Sequence, residues 1–156
     1  MERASLSAKG VLAGAKAGSL IIDMSSIAPK TAAKIAAEAS QKGVEMLDAP
    51  VSGGEPKAID GTLAIMVGGP QETFDQVKDI LSIMGASVTL VGEIGSGNMT
   101  KLANQIIVAL NIAAMSEAMV LAAKSGVNAE KVFQAIRGGL AGSTVLDAKM
   151  PLVLKG

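Results

Sequence analysis

The chain contains no cysteine, histidine, tyrosine or tryptophan, and Phe74 and Phe133 are its only aromatic residues. Without cysteine there are no disulfides, which permits a cytoplasmic setting. Without cysteine and histidine, metal sites built on thiolate or imidazole are excluded, and so are Cys–His and Ser–His–Asp catalysis. Without tyrosine, the side chains left to give and take protons are lysine, aspartate and glutamate. Fourteen basic and fourteen acidic residues cancel, so no net field draws the chain to nucleic acid or to an anionic membrane. Two phenylalanines are no platform for stacked bases. Residues 1–9 lack the apolar core of a secretory signal. The longest uncharged apolar stretch, 102–116, is interrupted by Asn104, Gln105 and Asn111 and reads as too short and too polar for a membrane span. No Gly-x-Gly-x-x-Gly lies near the start to hold a dinucleotide.

The 156 residues suffice for one sizeable core or parts of two. Residues 19–24 form a short apolar run ended by Asp23 and Ser25, which suits a strand buried on both faces, preceded only by loop-like residues. Ser25 to Pro29 supplies turn and helix-start residues, and the helix that follows stops at Gly43. Strands are expected at 44–49, 62–67 and 87–91. Between the last two, a helix from about 72 to 84 places Phe74, Val77, Ile80, Leu81 and Met84 on one face. This alternation predicts an α/β layered sheet. The pattern changes near 92–98. Residues 98–125 read as one helix, apolar nearly all round, which must be enclosed by other protein. Asn128 caps a helix over 129–137, and another starts at Thr144, before Pro151.

Ser52-Gly53-Gly54 follows the strand at 44–49. Consecutive amides in such a turn can form an anion nest beyond the carboxyl end of a strand; an ordinary connecting turn would use the same residues. Lys101 opens the long helix, and Asn104 and Gln105, three and four residues on, share its face. Enclosed, that lysine has its charged form disfavoured and can exchange a proton with a carbonyl or hydroxyl oxygen; a solvated lysine extending from a buried helix is the competing reading. The hydroxyls of Ser25 and Ser26 suit either a nicotinamide contact or helix capping. Asn111 suits an interhelical hydrogen bond, and 138–143 a lid or substrate loop.

Taken together, these motifs resemble those of the 3-hydroxyisobutyrate dehydrogenase family of β-hydroxyacid dehydrogenases. Asp48-Ala-Pro-Val-Ser-Gly-Gly with Ala58 and Gly61 is similar to its substrate-binding motif, Gly92-x-x-Gly95-x-Gly97-x-x-x-Lys101 to its catalytic motif, and Asp23-Met-Ser-Ser-Ile27 to its cofactor-contacting segment. The resemblance implies an α/β fold: the second half of a Rossmann-like dinucleotide-binding domain over 1–95, then the start of an all-α substrate and dimerisation domain over 96–156, joined by the long interdomain helix. It implies NAD or NADP as cofactor, with Ser26 in contact with it, and Lys101 as general acid/base. Ser52, Gly53 and Gly54 would bind the substrate carboxylate, with Asn104 and Gln105 beside it, although many relatives carry asparagine where Gln105 stands. The implied activity is reduction of tartronate semialdehyde to D-glycerate, the alternatives being 3-hydroxyisobutyrate or another β-hydroxy acid, or a non-catalytic oligomerising fragment. A small carboxylate substrate and homo-oligomerisation through the helical domain follow, with no nucleic-acid or membrane partner. The family's glycine-rich fingerprint would lie before Met1 and its closing helices after Gly156, so the chain by itself is expected to have little activity.

Overall fold

The computed structural model describes residues 1–155. The chain divides into two compact units, Met1–Leu102 and Ala103–Gly156, each with a hydrophobic core of its own.

The first unit begins with two short helices, α1 (Glu2–Leu6) and α2 (Val11–Gly14), where the sequence suggests only loop. Leu12 of α2 is buried with Ala39 and Val44, and Leu6 and Ala15 pack against them, which folds the segment down. Next come β1 (Leu20–Asp23), α3 (Pro29–Ser40), β2 (Glu45–Asp48), β3 (Val51–Ser52), α4 (Gly54–Ile59), β4 (Leu63–Gly68), α5 (Gln71–Met84) and β5 (Gly85–Gly92). The sheet is mixed: β1 pairs parallel with β2, β4 pairs parallel with β5, and β4 runs antiparallel to β2 and β3. β1 is an edge strand whose Leu20, Ile21 and Ile22 are only part-buried, so the expectation of burial on both faces is not met among the described residues.

The segment 48–52 runs along one side of β4 as two short strands, because Pro50 interrupts them. Proline has no N–H to give to a ladder; its carbonyl instead accepts the Met66 N–H at 3.0 Å. The core lies between β2, β4 and α5, where Leu47, Ile65, Val67 and Leu81 are almost wholly enclosed and Phe74 and Val77 pack beside them. On α5 the buried face is Thr73, Phe74, Val77 and Leu81. Ile80 is exposed, contrary to the expected face, because one residue from Leu81 is about 100° around the helix.

α6 (Ser96–Lys124) leaves the first unit and continues through the second, which also holds α7 (Ala129–Ile136) and α8 (Thr144–Val153). Asn128 caps α7 by accepting the Lys131 N–H at 3.0 Å, and Ser143 caps α8 by accepting the Leu146 N–H at 3.0 Å. α8 runs through Pro151 rather than stopping before it. The core of the second unit is Met115, Met119, Phe133, Leu146 and Met150. The rest of α6 is not enclosed as expected: Ile106, Ile107, Leu110 and Leu121 are each more than 60 % exposed. By length and composition α6 is also apolar enough to cross a membrane, which the stretch 102–116 alone does not reveal.

Exposed apolar surface of this size marks sites of protein association or membrane contact in general. The chain is expected to self-associate or bind apolar dyes, and Ile107→Lys with Leu110→Gln to suppress both without loss of helicity. Sedimentation of the parent chain as a monomer that binds no dye would contradict this.

Candidate active site

The first unit contains Ser26, Ser52, Gly53, Gly54 and Lys101; the second contains Asn104 and Gln105. Ser26 is exposed in the segment between β1 and α3, and its neighbour Ser25 donates its N–H to Asp23 Oδ1 at 3.0 Å. The N-cap of α3 is Ala28, with no side-chain capping bond. Helix capping therefore does not account for the two serines, and their hydroxyls are left for another partner. Asp23 is 3 % exposed, and its Oδ2 has no hydrogen-bond partner among the described residues. A buried acceptor in this state is a place to expect a donor from a ligand or water.

Ser52 ends β3 and Gly54 begins α4, so the Ser-Gly-Gly turn stands at the start of a short helix that the sequence pattern does not announce. Gly53 has φ of +140°, a conformation open chiefly to glycine. A Cβ placed on it would come within 2.7 Å of Lys57 Cβ and 3.2 Å of Leu63 Cδ2. The turn thus excludes a side chain on both steric and conformational grounds, and its main-chain groups stay accessible.

Lys101 is part-buried and forms no ion pair or hydrogen bond among the described residues. Desolvation by burial pushes its amine below the ordinary lysine value. This is the direction a proton-transfer lysine requires. Asn104 Nδ2 donates to Gln105 Oε1 at 2.9 Å, so the two amides are bonded to each other. Asn111 makes no side-chain hydrogen bond among the described residues. It lines a pocket of about 340 Å³ in the second unit with Met115, Leu140 and Ser143, so the loop at 138–143 forms a wall of a cavity.

The side chain that sequence reasoning undervalued is Asp48. It ends β2 wholly enclosed, and its carboxylate accepts the Gly95 N–H at 2.6 Å, the Asn98 N–H at 2.7 Å and Asn98 Nδ2 at 3.1 Å. Asn98 Oδ1 in turn accepts the Ile27 N–H at 2.8 Å. These bonds draw together the three segments that hold Ser26, the Ser-Gly-Gly turn and Lys101. An aspartate ending an apolar strand was the available signal; its partners, about fifty residues away, were not.

Comparison with known proteins identifies the family. Residues 1–92 match the family described as the NAD binding domain of 6-phosphogluconate dehydrogenase, and residues 95–156 match that described as NAD-binding of NADP-dependent 3-hydroxyisobutyrate dehydrogenase. The chain is 47 % identical over 138 residues to 2-hydroxy-3-oxopropionate reductase of Escherichia coli, a match covering 88 % of this chain and 47 % of that protein. The 3-hydroxyisobutyrate dehydrogenase of Mycobacterium tuberculosis, solved with L-serine, superposes with a TM-score of 0.82 at 36 % identity over 90 % of this chain and 48 % of that one. Psf3, solved with NADP+ and 2-OPP, superposes with a TM-score of 0.90 at 28 % identity over 96 % and 53 %. The chain spans about half the length of the curated relatives it matches. With both family matches meeting near the start of α6, and with an α/β unit followed by helices as in these dehydrogenases, the chain belongs to the 3-hydroxyisobutyrate dehydrogenase family of β-hydroxyacid dehydrogenases.

Proposed function

We propose that the chain is the central part of an NAD- or NADP-dependent reductase that converts tartronate semialdehyde to D-glycerate, with Lys101 as general acid. The observation that carries the reading is Lys101 itself: part-buried, unpaired among the described residues, and held three residues from the anchored Asn98. Support for the substrate comes from the 47 % identity to the E. coli reductase. The 36 % identity to the mycobacterial 3-hydroxyisobutyrate dehydrogenase keeps that substrate as the second reading. In domain terms, residues 1–95 are the C-terminal half of the cofactor-binding domain and 96–156 the start of the helical domain. The balanced charge supports an enzyme without nucleic-acid or anionic-membrane partners, the absence of cysteine is compatible with a cytoplasmic setting, and the exposed face of α6 supports homo-oligomerisation.

The segment after β1 fits a nicotinamide cofactor, since Ser25 and Ser26 are free of capping duty and Asp23 Oδ2 is a buried acceptor without a partner among the described residues. When bound, such a cofactor supplies a hydride to the carbonyl carbon. The chain's own residues do the rest. The main-chain amides around Ser52, Gly53 and Gly54, with the Ser52 hydroxyl, hold the substrate carboxylate as an anion nest does. Lys101 donates a proton to the carbonyl oxygen as negative charge develops there. Asn104 and Gln105 supply amide groups beside the substrate once their mutual bond opens.

The mechanism is tested in this chain joined to the flanking segments of the E. coli reductase. Lys101→Ala should lower kcat by about 10²–10⁴-fold, the span for loss of a positioned general acid, with a smaller change in KM. Ser52→Ala should raise KM for the carboxylate substrate more than it lowers kcat. It is a cleaner probe than Gly53→Val, whose side chain would clash with Lys57 and strain the turn. Near-normal kcat in Lys101→Ala would sink the mechanism.

The pH profile gives a separate test. Reduction requires protonated Lys101, whose pKa burial lowers. The rate of reduction should therefore fall as pH rises through that depressed value, the limb beginning below the ordinary lysine range, while oxidation of D-glycerate rises over the same interval. Loss of both limbs in Lys101→Ala would assign them; their persistence would assign the titration elsewhere.

A further inference from the structure

Asp48 is fully buried, and the groups bonded to its carboxylate among the described residues are all uncharged. A carboxylate in that state costs several kcal/mol unless its lone pairs are filled. Here they are filled by the amides at the start of α6. Gly95 immediately precedes the helix and Asn98 is its third residue, so their N–H groups are among those that a helix leaves unbonded at its N-terminus. Asp48 serves them as a capping residue would, but from another strand, and its negative charge meets the positive end of the helix dipole.

The surroundings leave the arrangement no slack. A Cβ on Gly68 would overlap Asp48 Oδ1, and one on Gly97 would overlap the Met66 carbonyl and lie 2.6 Å from the Asp48 carbonyl oxygen. Both glycines are buried, so β4 and the first turn of α6 close on the carboxylate from two sides. Asn98 then carries the connection onward, its Nδ2 on Asp48 and its Oδ1 on the Ile27 amide. A local serine or aspartate cap would satisfy the helix equally well. What the distant pair adds is a fixed spacing between three segments that chain connectivity leaves independent.

We propose that Asp48 and Asn98 are positioning residues of the reductase: Asp48 sets the register of α6, and so of Lys101, against the Ser-Gly-Gly turn, while Asn98 sets the Ser25–Ile27 cofactor segment against the same helix. The proposal rests on the reductase reading above. Lys101 stands three residues beyond Asn98, a rise of about 4.5 Å along the helix, with no flexible link between them. A slip of α6 therefore moves the lysine with it, and a misplacement of about 1 Å at a reacting group costs on the order of 10²-fold in rate.

The test again uses this chain joined to the E. coli reductase's flanking segments, with Asp48→Asn, Asn98→Ala and Lys101→Ala compared. The amide that Asp48→Asn introduces preserves shape but turns a donor toward donors, so at least one bond to α6 is lost. Asp48→Asn is expected to lower kcat by roughly 10–100-fold, with KM for substrate and cofactor each changed less than about threefold. Asn98→Ala keeps both main-chain bonds to Asp48 but frees Ile27, so it should raise the cofactor KM more than it lowers kcat. In the unsubstituted 156-residue chain, the Gly95 and Asn98 amides should exchange with deuterium as slowly as those of β4.

Rapid exchange at Gly95 and Asn98, or Asp48→Asn with only a lowered Tm and unchanged kcat below it, would overturn the proposal. So would Asn98→Ala acting equally on kcat and both KM values. If Asp48→Asn does not fold, Asn98→Ala and the exchange rates decide. A crippled Lys101→Ala beside an intact Asp48→Asn removes the positioning role alone. An active Lys101→Ala removes the reductase mechanism, and with it the catalytic part of the positioning role.

Discussion

One buried carboxylate at the start of one helix fixes most of what matters in the first unit. Asp48 has its three acceptor bonds from Gly95 and Asn98 in an enclosed site, where each bond is stronger than at the surface and each loss dearer. Helix α6 cannot leave Asp48 without stranding a charge, and β2 cannot shift without uncapping α6. The glycine pair at 68 and 97 follows from the same constraint, because the backbones of β4 and α6 must approach a filled carboxylate closely. Glycine in these places is a condition of the anchor rather than a mark of flexibility.

What could be read from the sequence divides along the range of the interactions involved. The strands at β1, β2, β4 and β5 and the helices α3, α5, α6 and α7 were legible because burial imprints apolar runs and helical periods locally. β3 and α4 were not: a two-residue strand carries no period, and Gly54 and Pro56 disguise a helix of six residues. Ile80 was counted with Leu81 on the inward face of α5 because the two look equally apolar, and only the sheet decides which of them faces inward. The site shows the same limit. The Ser-Gly-Gly turn and Lys101 each stand in a recognisable motif, yet the bond from Asp48 to Asn98 spans fifty residues and leaves no local signature. In the sequence Ser25 and Ser26 suit a cap and a cofactor contact equally, and only the structure, in which the cap of α3 is Ala28, separates the two.

α6 presents the opposite problem, a signal too uniform to read. Its apolar residues lie on every side, so pattern alone assigns no inward face. Its partners within the chain select one: Met115 and Met119 join Phe133, Leu146 and Met150. Isoleucines and leucines elsewhere on the helix stay exposed. Each side chain left in water forgoes roughly 1.5–3 kcal/mol of burial, so the helix carries a large unused driving force. That force accounts for an apolar composition which the second unit, taken by itself, does not require.

The depressed basicity of Lys101 sets a limit on how the anchor can be built. Desolvation by burial lowers the pKa of the lysine, and the positive end of α6 lies on the side of the helix toward Asp48. Asp48 sits on that end and offsets its partial charge. Were the carboxylate nearer to Lys101, the two would pair, and the ammonium would be held protonated instead of being free to release its proton. With histidine, cysteine and tyrosine absent, only another lysine or a carboxylate could take over. A carboxylate consumed by main-chain and amide donors reconciles the two demands: it holds the start of the helix while spending its hydrogen-bonding capacity on groups other than Lys101.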